Sequence, residues 1–265
     1  MIKYIISIIF IYLFFGFFLF IFQRKIVFNI SGLPKKPSEY GLKDIEELDI
    51  LTSDGLNLLC WYSKSKKKDL PTLIYFHGNS FDIGERAYRI QRYIDNGWGV
   101  LLVSWRGFSG NKGKPTENNL YIDAESIMTW IDKKNLIKED NIILYGESLG
   151  AGVAVEMATR YTFKGVVLEA PFTSIVDIAQ KRYKIYPAKF LVLDKFDNFS
   201  KIKKINSPIL IISGTKDEIV PHSHSIKLYN AANKPKDSLF VDEAMHNNLY
   251  DFNIDKKVIE FHNNY

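Results

Sequence analysis

The first 22 residues offer almost no polar position. Residues 4–22 carry no charge, and only Ser7 and Gly16 interrupt the apolar run. As an α-helix this stretch is roughly 28 Å long, close to the hydrocarbon thickness of a bilayer. Lys3 precedes it, and Gln23, Arg24 and Lys25 close it. A secretory signal has a shorter apolar core and a small-residue exit, whereas this exit reads Phe20-Ile21-Phe22-Gln23. The pattern predicts an uncleaved, single-pass N-terminal membrane anchor over residues 1–25. Residues 26–45, with Pro34, Pro37 and Gly41, read as a tether.

From residue 46 onward the pattern changes. Short apolar runs at 72–76, 100–105, 142–145, 165–169, 208–213 and 238–241 predict buried strands. Between them, residues 84–96, 118–133, 149–161 and 222–232 have helical spacing, and a last helix begins after residue 248. Alternating runs at 46–51 and 56–62 flank Ser53-Asp54-Gly55, a hairpin signal. Apolar strands alternating with helices predict a mostly parallel central sheet with helices on both faces. The hairpin adds an antiparallel edge. This is an α/β domain over residues 46–265, and its site belongs beyond the carboxyl ends of the strands.

Composition narrows the function classes. At 265 residues, with 46% hydrophobic and 25% charged, the chain fits one domain plus a short segment. The net charge of +5 comes from scattered lysines, which speaks against a nucleic-acid surface. Cys60 is the only cysteine, so it can form no internal disulfide or cysteine-based metal site. No metal or organic cofactor is indicated. The flanks of the apolar run do not fix orientation. Arg24, Lys25, Lys35, Lys36 and Lys43 favour a cytoplasmic domain, while the short N-terminal tail suits a signal anchor that exports the catalytic domain.

The chemistry sits in Gly146-Glu147-Ser148-Leu149-Gly150, between an apolar strand and a helix. A serine nucleophile must project from a tight, strained strand-to-helix turn, and Gly146 and Gly150 remove the Cβ atoms that would collide there. The N–H of Leu149 then faces a developing oxyanion. Serine needs a base. Of the five histidines, His246 comes after a strand and precedes the last helix. His222 and His224 read as surface residues and His262 as structural or solvated. The base needs a carboxylate. Asp217, after the strand at 208–213, is preferred over Glu218, Asp242 and Glu243. A second oxyanion N–H is expected from Phe76-His77-Gly78-Asn79-Ser80, with Asn79 first and Ser80 second.

Together these residues resemble the α/β-hydrolase superfamily. More narrowly they resemble its BEM46-like or ABHD13-like branch, near the serine aminopeptidase S33-type domain, over roughly residues 20–262. The landmarks are Phe76-His77-Gly78-Asn79, Trp105-Arg106-Gly107-Phe108-Ser109-Gly110, the elbow, residues 214–221 and His246-Asn247. The resemblance implies a serine hydrolase with an N-terminal anchor. Two departures stand out: Trp105 where Tyr is common, and Ser80-Phe81-Asp82 where a more Gly-rich turn is usual.

Many such enzymes insert a large cap after the strand at 165–169. Here residues 171–207 leave room for a short lid only. A small-molecule or lipid-like acyl substrate, attacked by Ser148 and released to water, is the first expectation. A peptidase, or a membrane-tethered binding module without catalysis, are the alternatives. Oligomeric state is not legible in the sequence.

Overall fold

The computed structural model describes residues 1–30, 32–135, 137 and 141–265. An eight-stranded sheet runs in the order β1-β2-β4-β3-β5-β6-β7-β8. Its strands are β1 (Glu46–Leu51), β2 (Asn57–Ser63), β3 (Thr72–Phe76), β4 (Gly99–Val103), β5 (Ile142–Glu147), β6 (Gly165–Glu169), β7 (Ile209–Gly214) and β8 (Lys236–Val241). The β1–β2 and β2–β4 pairs are antiparallel, and every pair from β4 to β8 is parallel. This is the mostly parallel architecture that the apolar runs predict.

The pleat divides the core in two. Ile74, Phe76, Ile142 and Leu144 face one cluster, while Leu73, Tyr75, Ile143 and Tyr145 face the other. Successive strand side chains point to opposite faces, so a run of apolar residues buries both. The first face is covered by α3 (Glu117–Lys134), α4 (Leu149–Ala158) and α8 (Ser223–Ala231), through residues such as Leu120, Val153 and Leu228. The second is covered by α2 (Ala87–Asp95) and α9 (Ile254–Asn264), through Ile90, Tyr93, Val258 and Phe261. Cys60 is fully buried in the first cluster, as a small hydrophobe.

The N-terminal helix α1 spans Ile2–Val27, is long and apolar enough to cross a membrane, and buries none of its residues. It does not lead into a free linker. Phe28 is buried against Phe196, and the Asn29 N–H donates to the Asn79 carbonyl at 3.0 Å. Further on, Pro37 and Leu42 are buried, and Tyr40 packs against Trp61. The apolar residues scattered through this proline- and lysine-rich stretch hold it against the body.

Residues 171–207 contain α5 (Ile175–Arg182), α6 (Ala188–Leu191) and α7 (Asn198–Ile202). Helix α7 belongs to the body: Asn198 and Ile202 are buried, and Asn198 Nδ2 donates to the Phe172 carbonyl. Helix α5 buries no residue completely and covers a cavity that reaches Ser148.

Candidate active site

Strand β5 ends in the elbow. Ser148 adopts φ +50° and ψ −111°, a strained conformation that L residues rarely take. Its N–H donates to the Glu169 carbonyl at 2.8 Å, which ties the elbow to the end of β6. The flanking glycines are obligatory for steric reasons. A Cβ on Gly150 would lie 2.0 Å from the Phe76 carbonyl oxygen, and one on Gly146 would lie 2.6 Å from Ala151 Cα. The strand, the turn after Phe76 and α4 can therefore meet only if these positions lack side chains.

His246 lies between two other predicted residues. Its Nε2 is 3.0 Å from Ser148 Oγ, and its Nδ1 is 2.7 Å from Asp217 Oδ2. The Asp217 side chain is completely buried, and its Oδ1 accepts from the N–H groups of Ile219 and Val220 at 2.9 and 2.8 Å. Those two donors hold the carboxylate in one orientation, so the imidazole has one pose. The competing carboxylates go elsewhere. Asp242 accepts from Thr215 Oγ1, Glu243 pairs with Lys216 on the surface, and Glu218 is exposed.

Asn79, Ser148 and Leu149 line one cavity of about 220 Å³. Leu149 is the first residue of α4, so its N–H has no partner within the helix. The same helix end favours negative charge. No described acceptor takes the Asn79 N–H.

His77 is fully buried. Its Nδ1–H donates to the Gly78 carbonyl at 2.7 Å, and Trp105 Nε1 donates to the His77 carbonyl at 3.1 Å. Burial, with Arg86 nearby, pushes its imidazole down to about 3. It is a neutral brace for the turn through Gly78, where an added Cβ would come 3.0 Å from Glu147 Oε1.

The sequence pattern places His222 and His224 at the surface. The structure corrects this: His224 is buried and accepts from the Thr173 N–H, and His222 is half-buried, 2.9 Å from Ser213 Oγ. Both lie where α8 turns back onto the sheet, so polar partners at strand ends replace water. His262 is also buried, edge-on to Trp98.

Sequence reasoning missed the ionic layer beneath the elbow. Glu147 accepts two bonds from Arg86, at 2.8 and 3.0 Å, and one from the Tyr75 hydroxyl at 2.9 Å. Arg89 lies 3.4 Å from Glu147 and 3.2 Å from Glu169, which also accepts from Tyr145. Burial would raise the Glu147 carboxyl, but the Arg86 and Arg89 charges outweigh it and hold it well below the usual carboxylate range. Glu169, buried with one shared guanidinium and the Glu147 charge beside it, is pushed up. Arg86 Nη1 also donates to the Ser80 carbonyl at 2.6 Å, linking this layer to the Asn79–Ser80 loop. A signal for it was present: Arg86 and Arg89 fall on the apolar stripe of residues 84–96 with Ile90 and Tyr93.

Residues 91–248 match the prolyl oligopeptidase family. Human α/β hydrolase domain-containing protein 17B is 34% identical over 202 residues, covering 75% of this chain and 68% of that protein. An uncharacterised Mycobacterium tuberculosis protein is 32% identical over 226 residues, 85% of this chain and 80% of its own length. Among solved structures, the Pyrococcus furiosus esterase Pf2001 superposes with a TM-score of 0.72 at 19% identity. That likeness covers 89% of this chain and 98% of the esterase. An Exiguobacterium antarcticum esterase superposes at 0.66 with 16% identity, over 82% and 100% of the two chains. At such identities the structural likeness speaks for the fold alone.

Proposed function

The chain is an α/β hydrolase of the prolyl oligopeptidase family, and on that premise we propose that it is a membrane-anchored serine hydrolase cleaving carboxylic ester or thioester bonds through an acyl-enzyme on Ser148. The observation that carries the reading is His246, set 3.0 Å from Ser148 Oγ and 2.7 Å from Asp217, with Ser148 itself lining a largely apolar cavity.

His246 Nε2 takes the hydroxyl proton as Ser148 Oγ bonds to the substrate carbonyl carbon. Asp217 accepts from Nδ1–H, fixes the tautomer and stabilises the imidazolium. The N–H groups of Leu149 and Asn79 receive the oxyanion. His246 then protonates the departing alkoxide or thiolate, and the same steps with water release the acid and regenerate Ser148.

The cavity wall favours an acyl chain. Leu19, Phe20, Ile26, Phe172, Ile178 and Leu191 contribute to it, and Arg182 is the only charged residue in its lining among the described residues. No carboxylate in that lining stands ready for a peptide's N-terminal ammonium. Each CH₂ buried there is worth about 0.8 kcal/mol. Membrane anchoring through α1 rests on its length and apolarity.

A peptidase is the second reading, favoured by the description of the matched family. The test is fluorophosphonate labelling of full-length protein in micelles, then turnover of p-nitrophenyl esters and aminoacyl amides. Labelling should vanish in Ser148→Ala, with turnover lower by on the order of 10⁴-fold or more. Labelling that survives would refute the nucleophile, and amides turned over faster than every ester would move the assignment to a peptidase.

A further inference from the structure

The N-terminal helix touches the cavity that holds Ser148. Leu19, Phe20, Gln23, Ile26 and Val27 all line it. With Tyr12 and Gly16 they recur at three- and four-residue intervals, which places them on one face of α1. The opposite wall comes from α5, α6 and the turn between them, through residues such as Ile178, Tyr183 and Leu191.

The two walls are fastened along their length. The Tyr12 hydroxyl donates to the Ile185 carbonyl, and the Tyr186 hydroxyl donates to the Tyr12 carbonyl, each at 3.0 Å. The two rings stack with centroids 4.8 Å apart. Gly16 makes this approach possible, since a Cβ there would come 2.9 Å from the Tyr186 ring. Nearer the body, Gln23 donates to the Leu191 carbonyl and accepts from the Leu193 N–H, and Arg24 pairs with Asp194. The seam from residue 12 to residue 24 is about 18 Å long at 1.5 Å per residue. Below it, Asn29 bonds the carbonyl of Asn79. The helix is therefore tied both to the lid and to the oxyanion loop.

If α1 spans a bilayer over its apolar length, the level of Tyr12 lies within the hydrocarbon, and α5–α6 accompany it there. Their outward face agrees with lipid contact: Ile185 and Phe190 are 71% and 81% exposed. Lys181, Lys184 and Lys189 are long enough to carry their charges to the interface.

We propose that the face of α1 carrying Leu19, Phe20, Ile26 and Val27 is a specificity-determining wall of the acyl site, and that a long acyl chain of a bilayer-resident ester or thioester enters laterally between α1 and α5–α6. The anchor is thus part of the binding site. This rests on Ser148 as nucleophile and deepens that reading by naming where the substrate's chain lies.

The test uses full-length protein in micelles. The quantity read is the ratio of kcat/KM for dodecanoyl to acetyl p-nitrophenyl ester. Ile26→Trp, which fills the cavity from α1, should lower the ratio at least tenfold. Ile21→Trp, which faces away from the cavity, should leave the ratio within twofold. Equal ratios in both variants and wild type, or an equal fall in both, would overturn the proposal. A second measurement does not depend on turnover. Ser148→Ala is photolabelled with a diazirine-bearing long-chain ester and digested. Label on the 19–27 face and on α5–α6, lost in Ile26→Trp, supports the wall, and label on the outer face alone overturns it. Absence of turnover with positive photolabelling would reject the hydrolase assignment and keep the wall. The chain's carrier is read by comparing fatty-acid release from phospholipid vesicles with release from an S-acylated membrane peptide. Slowing of either by Ile26→Trp is the supporting result, and release from both at the wild-type rate overturns the proposal.

Discussion

Replacing Arg86 with Met tests whether the ionic layer under the elbow carries both stability and geometry. The Arg86 and Glu147 side chains are 6% and 9% exposed and form a two-bond fork. Removing one member of a buried pair costs about 3–5 kcal/mol, because the other charge is left desolvated. Arg89 stays 3.4 Å from Glu147 and offsets part of that loss, while the Ser80 carbonyl loses its donor. The lower end, about 3 kcal/mol, is the expected deficit, equivalent to a fall in Tm of about 6–12 °C for a domain of this size. The deficit should also depend on pH. In the wild type the Glu147 carboxyl is held low, so its contribution is present above the unfolded carboxylate range and lost as pH falls through the folded value. Without Arg86 the folded value rises, Glu147 protonates more readily in the native variant, and the gap to wild type narrows from pH 7 toward pH 5. A plain cavity would give a pH-independent gap. Urea unfolding of full-length protein in micelles at both pH values measures this, with Arg86→Lys as the variant that keeps charge and loses the fork. Ester turnover should fall about tenfold or more in kcat as the Asn79–Ser80 loop loosens. A deficit below about 1 kcal/mol, or one unchanged with pH, would refute the reasoning.

Asp217→Asn should keep the fold and lose most ester turnover, whereas Asp242→Asn should stay near wild type because that carboxylate accepts from Thr215 Oγ1 and not from His246; the reverse ranking would reassign the acid. His77 is pushed down to about 3 by burial, so the unfolded chain binds its proton first as pH falls. Stability should therefore be undiminished above the ordinary imidazole range and drop by about 2 kcal/mol between pH 7 and pH 5 from this residue alone. His77→Gln should flatten that slope in urea unfolding, and an unchanged slope would show that His77 is not its source.

What was legible in the sequence was legible because the signal is local. A parallel strand buried on both faces must be apolar throughout, so β3, β5 and β6 announce themselves as short runs. An elbow must place glycine on both sides of the nucleophile, and the 2.0 Å clearance at Gly150 is the physical form of that pattern. His246 and Asp217 could be singled out as candidates because strand ends in this architecture converge, so position in the alternation substitutes for distance. Where the pattern misled, side chains were settled by neighbours remote in sequence. His224 looks like a helix-start surface residue until Thr173, 51 positions away, supplies its partner.

The same limit explains the helix and the lid, and it bears on what the fold does. Periodicity reports that residues 4–22 can cross a bilayer, since every face is apolar. It cannot report that one of those faces has a protein partner, because a lipid-facing side chain and a cavity-facing side chain obey the same apolar rule. Only the polar and small exceptions distinguish them. Tyr12 and Gly16 within the run and Gln23 just after it share one face, and each meets the lid, at Tyr186, at the Tyr186 ring and at Leu191 and Leu193, whereas Ser7 bonds back to its own helix at the Lys3 carbonyl. A helix that only anchored would have no reason to gather a tyrosine, its glycine and its amide on one stripe. That stripe continues through Ile26 and Val27 into Phe28 and Asn29, which reach the core and the Asn79 carbonyl. On the proposed reading, membrane attachment and acyl selection would belong to one continuous element, and a change to either should be felt by the other.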